Sequence, residues 1–130
     1  MNGPKNNAAV WIKKGQEDLT GIDHLMAGQP VQWSLVCFHA QQAAEKFLKA
    51  FLVAHTIEPE RTRDLERLLE LCAQLDSSLA TLREDCSALT DYAVDARYAD
   101  LLIADEERIA RDAVAMADRI CTAIRQHLPK

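Results

Sequence analysis

The chain is predicted to be an all-α protein, a five-helix up-and-down bundle, on three observations. The first is the stretch Leu35 to His55, which reads LVCFHAQQAAEKFLKAFLVAH. At about 100° per residue, Val36, Ala40, Ala43, Ala44, Phe47, Leu48, Ala50, Phe51, Leu52 and Ala54 cover an arc of roughly 200°. A surface helix needs a stripe about half that wide, so this helix must be covered on several sides and is placed at the centre of the bundle. The second is composition: 48% of residues are hydrophobic but only 5% aromatic, so small and aliphatic side chains must fill the core, as in helical proteins. The third is that no run alternates with the two-residue period of a strand.

The remaining elements follow in order. Residues 1–7 are expected to be a flexible tail and 8–128 a single helical domain. Val10, Trp11, Lys14, Asp18, Leu19, Ile22, Leu25 and Met26 recur at helical spacing, giving a first amphipathic helix from Ala8 to about Met26. Gly15 and Gly21 weaken it by up to about 1 kcal/mol each relative to Ala, or let a neighbour come close. Gly28 and Pro30 end it, and the central helix runs from about Val31 to Ala54. A loop from His55 to Thr62 leads to a third helix starting near Arg63, with Leu65, Leu68, Leu69, Cys72 and Leu75 as its stripe. Asp76, Ser77 and Ser78 break it and cap a fourth helix carrying Leu79, Leu82, Cys86, Leu89 and Ala93. Residues 97–104 are read as a turn. Asp105, Glu106 and Glu107 open the last helix, with Ile109, Ala113, Met116, Ala117, Ile120, Cys121, Ile124 and Leu128 on its buried face.

The open side of the central helix carries His39, Gln42, Glu45, Lys46 and Lys49, but also Leu35, Phe38 and Val53. Apolar side chains among polar ones on an open face point to a partner surface, such as a second copy. Leu35, Phe38, Gln42 and Glu45 are the candidate interface residues.

The segment CFHAQQAAEKFLKAFL closely resembles the signature helix of the HEPN family, small helical domains of prokaryotes. Two further pieces agree. His55-Thr-Ile with Arg63-Asp64-Leu65 resembles the family's H-x-I…T-H-D-L segment, and Asp91-Tyr-Ala-Val-Asp-Ala-Arg-Tyr98 resembles its Y-x-x-x-A-R-Y-P segment. The resemblance runs from about Trp11 to the C-terminus and implies the HEPN bundle. It departs at Arg63, where relatives commonly have His, and at Ala99, where they have Pro.

Charge and motifs narrow the function. A net charge of −5 and the lack of a Lys/Arg run give bulk electrostatics nothing with which to drive nucleic-acid binding. No apolar run approaches the roughly 20 residues of a membrane span, and the N-terminus lacks the apolar core of a signal peptide. Cys37, Cys72, Cys86 and Cys121 lie far apart without a C-x-x-C; they read as buried free thiols in a reducing cytoplasm, with disulfides or a metal site as the alternatives. No metal is expected, because His24, His39, His55 and His127 form no i, i+4 pair and no Glu-x-x-His occurs. No cofactor is expected, although a nucleotide ligand is compatible. Glycine-rich phosphate loops and nucleophile elbows are absent.

The candidate ligand-binding group is Tyr92, Asp95, Arg97, Tyr98 and Asp100, near the end of the fourth helix. Arg97 suits bidentate binding of phosphate or carboxylate; the alternative is a solvated face of paired charges. Gln41, at the edge of the apolar arc, reads as a structural amide in need of partners, or as a ligand contact.

Many HEPN proteins are metal-independent ribonucleases whose signature is Arg, a polar residue, then His with four to six residues between it and the Arg. There His moves a proton and Arg stabilises the developing phosphorane. Here Arg97 and Asp100 fit, but positions 102 to 104 are Leu, Ile and Ala. Other HEPN chains partner minimal nucleotidyltransferases in toxin–antitoxin-like or nucleotide-related systems. The resemblance therefore implies a non-catalytic, cytoplasmic, homodimeric module with a nucleotidyltransferase partner. The alternative is a divergent ribonuclease using Arg97 without the histidine.

Overall fold

Asn7 caps the first helix by accepting the amide of Ala9 on its side chain, and α1 (Ala8–Met26) follows. The structure is a computed structural model that describes residues 7–97 and 105–129, with the backbone alone for 92–97. The central helix α2 (Trp33–Ala54) starts two residues later than its apolar pattern suggested. Next come α3 (Leu65–Leu75), a 3-10 turn (Ser77–Leu82), α4 (Arg83–Arg97) and α5 (Glu106–His127). Arg97, expected in a turn, is the last residue of α4. The five-helix all-α bundle is borne out.

The centre is α2. Val36, Ala40, Ala43, Ala44, Phe47, Leu48, Ala50, Phe51 and Leu52 have no exposed surface. Its principal neighbours are α1 and α5. Trp11 meets Lys49, Gly15 faces Phe47 and Asp18 meets His39, so α1 and α2 are antiparallel. Arg119 on α5 holds Asp85 on α4 at 2.8 Å, while Arg111 covers Trp33 and Arg125 covers Phe47. Thus α5 runs with α2, and the four long helices alternate up and down.

The shorter α3 is inserted into that alternation. The carbonyl of Arg63 accepts from Gln41 and the Cys72 thiol donates to the Leu48 carbonyl, so α3 runs in the same general sense as α2. The connection 55–64 must therefore return along the bundle before α3 begins. That return begins at a sharp stop. The amides of Thr56 and Ile57 turn back to the carbonyls of Val53 and Leu52, closing α2 in a Schellman motif with Thr56 in the left-handed region at φ 64°. Ile57 then packs against the core. The H-x-I segment is this helix stop.

Two caps differ from the sequence reading. Asp64 lies outside α3 as its N-cap, accepting from the amides of Glu66 and Arg67. Asp76 caps not the fourth α-helix but the 3-10 turn, accepting from the Ser78 amide and hydroxyl, which together hold its carboxyl below the usual range. Leu79 and Leu82, three residues apart, fall on one side of a three-residue turn, and both are buried. On α5, Ala110 joins the buried face, while Ile109, Met116 and Leu128 pack at its margin.

Candidate binding face on the central helix

Three large apolar side chains are exposed among the described residues: Leu35, Phe38 and Leu75. Two of them, Leu35 at 41% and Phe38 at 46%, lie one turn apart near the start of α2. Gln42 continues the line and is half-buried. Trp33 flanks it, also half-buried, with the Arg111 guanidinium 5.1 Å from its ring centre.

The same face closes over further along. Glu45, Lys49 and Val53 were expected in the open but are only 8%, 8% and 5% exposed. Glu45 and Lys49 pair at 3.0 Å, one turn apart, and the Trp11 ring lies 5.7 Å from the ammonium. Glu45 Oε1 is enclosed without a hydrogen-bond partner among the described residues. Glu45 is thus an interior residue of the chain, not part of its open face. Neither helix periodicity nor residue type shows this, because the Trp11 ring that meets Lys49 comes from α1, far away in the chain.

Beside Phe38 lies a polar cluster that sequence reasoning missed. Asp18 of α1, 8% exposed, accepts from His39 Nδ1 at 2.8 Å and from Lys46 Nζ at 2.6 Å. A carboxylate oxygen so near Nδ1 requires the proton on that nitrogen, which leaves Nε2 the acceptor of the neutral ring. The signal was present: Asp18 falls on the buried stripe of α1, with Ile22 one turn on. Gln41, in contrast, is the structural amide, its Nε2 donating to the Arg63 carbonyl at 2.9 Å.

Of the expected ligand group, Tyr98 and Asp100 lie outside the described residues, as do the side chains of Tyr92, Asp95 and Arg97. The start of α5 is at the Leu35–Phe38 end of the bundle: burial first, then the charge of Glu106, pushes the Cys37 thiol up to about 11. An open groove of about 580 Å³ runs along α1, lined by Ile12, Lys13, Gln16, Thr20, Gly21 and Arg125 among others. No three His, Cys, Asp or Glu side chains gather as metal ligands among the described residues. Among the described residues, no helix is long and apolar enough to cross a membrane.

The model of the HEPN domain matches residues 8–127, from the first residue of α1 to the last of α5. The chain belongs to the HEPN family. No curated protein and no solved structure matches it. On the HEPN frame, the signature helix is α2, the H-x-I segment is its Schellman stop, and the Y-x-x-x-A-R segment is the last two turns of α4. HEPN domains often dimerise.

Proposed function

We propose that this chain is a non-catalytic HEPN binding module, a homodimer joined through the open start of α2 that docks a minimal nucleotidyltransferase in trans. The observation that carries the reading is the Leu35–Phe38 face. In a chain of net charge −5, two copies repel each other except where charge is missing or cancelled. From Ser34 to Gln42 the open side of α2 carries no formal charge, and Lys46 just beyond is matched by Asp18. Apolar, uncharged and presented by a rigid helix, this surface can meet its own copy about a two-fold axis. Four free buried thiols suit a reducing cytoplasm.

The non-catalytic part rests on sequence: the proton carrier of the family's ribonuclease motif has no counterpart at positions 102 to 104. A nucleotide is the ligand class that suits Arg97, whose guanidinium can grip phosphate by two hydrogen bonds.

Sedimentation of the purified chain and of Phe38→Asp tests the dimer. The expected result is a dimer at micromolar concentration that the buried carboxylate of the variant converts to a folded monomer. A wild-type monomer would sink the reading. Titration with ATP, GTP and a short RNA, with Arg97→Ala as control, tests the ligand. Nucleotide binding weakened by at least about 1 kcal/mol in the variant is expected. RNA cleavage lost with Arg97→Ala would instead identify a ribonuclease.

A further inference from the structure

The Asp18–His39–Lys46 cluster borders the open face of α2, and the reading above uses only the charge balance of Asp18 and Lys46 and leaves His39 without a part. We propose that self-association through this face is proton-gated by His39: the neutral imidazole is the associating form, and its protonation separates the two copies. The inference rests on the homodimer reading and adds its regulation.

With His39 neutral, Nδ1–H donates to one oxygen of Asp18 while Lys46 donates to the other. The carboxylate and ammonium cancel, so the cluster has no net charge. Imidazole is the side chain whose ordinary titration falls just below neutrality. A second proton, on Nε2, adds a positive charge that Asp18 cannot fully balance, because Lys46 already claims it. The His39 side chain is 32% exposed and its ring stands edge-on to Phe38, with centroids 5.5 Å apart. That charge therefore sits at the border of the surface a second copy would cover. A two-fold contact presents the same patch from both copies, so acid places two desolvated cations there rather than one.

Other charges around the imidazole do not reverse this sign. Asp18 faces it from α1 and Lys46 from its own helix. At the same end of the bundle α5 brings Arg111, already stacked on Trp33, and Glu106, felt at Cys37. The whole molecule pulls the other way: acidification lowers its net negative charge and relaxes general repulsion between copies. Weakening on acidification must therefore come from a local group.

Sedimentation equilibrium of the full chain at about pH 7.5 and about pH 5.5, at constant ionic strength, tests the proposal. Wild type is expected to dissociate at least about tenfold more readily at the lower pH, a change of about 1.4 kcal/mol. In His39→Gln, whose amide can still donate to Asp18, the two constants should agree within about twofold. His39→Asn is the second variant, should the longer amide fail to fold. His24→Gln, at the last turn of α1, should behave as wild type. A wild-type dimer that is equally strong or stronger in acid overturns the gate alone, as does an acid weakening that survives in the His39 variants or vanishes in His24→Gln. A chain already monomeric near pH 7.5 overturns the homodimer reading and the gate together.

Discussion

Gly15 marks the place where α1 comes closest to α2. A Cβ built there would lie 2.6 Å and 2.7 Å from two ring carbons of Phe47, a side chain with no exposed surface. The ring cannot swing aside, since Arg125 stacks on it at 4.9 Å and the core encloses it. Gly15→Ala is therefore expected to destabilise by about 1–3 kcal/mol, the usual cost of overpacking. Gly21, two turns along the same helix, has nothing within 4 Å of its would-be Cβ. There Ala removes only the backbone entropy penalty, and stability should rise by about 0.5–1 kcal/mol. Urea unfolding of the two variants checks both signs, and two changes of equal sign would refute the packing argument. The sequence showed two glycines with the same helical cost; only the third dimension separates their roles.

At the scale of elements, the ends of α2 and α3 are where side-chain identity and backbone shape disagree most. Thr56 holds a left-handed conformation that a β-branched residue adopts at a cost of roughly 1–2 kcal/mol. The two turn-back hydrogen bonds and the burial of Ile57 overcome that cost. Thr56→Gly should accordingly stabilise the protein by about 1 kcal/mol, whereas Asp64→Ala, which removes the cap from two amides of α3, should cost about 1 kcal/mol. Thermal unfolding followed by circular dichroism reads both. These junctions also explain what could be read in advance. The helices themselves were legible, because the apolar arc of α2 and the stripes of α3 and α5 are properties of single segments. The return of the chain between α2 and α3 was not, because nothing local states which way α3 will run. The Trp11 ring of α1 meets Lys49, which pairs with Glu45, so a face that is polar by periodicity became interior. Leu35 and Phe38, two turns away from that cover, stayed open as their pattern implied. The Asp18 pairing joins residues 21 and 28 positions apart and needs the α1–α2 register to be visible.

Across the whole molecule, the four cysteines report how tightly the bundle closes. Each comes from a different helix (α2, α3, α4 and α5), and none is more than 3% exposed. Burial raises all four thiols: Cys37 to about 11, Cys72 and Cys86 to about 12, and Cys121 higher still. A raised folded value means the native chain holds its thiol protons after the unfolded chain has released them. The unfolded state then binds fewer protons, so stability is fully present below the ordinary thiol range near 9 and declines as pH climbs through it. The slope reaches about 1.4 kcal/mol per pH unit for each thiol that stays protonated. Denaturant midpoints should thus fall steadily from about pH 9 upward, with a shallower fall once Cys72 and Cys86 are replaced together by Ala or Val. The same closure dictates kinetics. With every sulfur enclosed, a disulfide reagent at about pH 8 should label the native chain only as fast as the bundle opens, and all four thiols in step. One thiol reacting at once with full amplitude would mean that its helix parts from the others well below the global unfolding free energy. Cys37 is the informative one to assign by mass spectrometry, because it lies on α2 next to the open face and near the start of α5, where a second copy would add cover. A second copy on that face would stabilise the closed bundle, so labelling of Cys37 should slow as protein concentration rises, in step with the other three thiols.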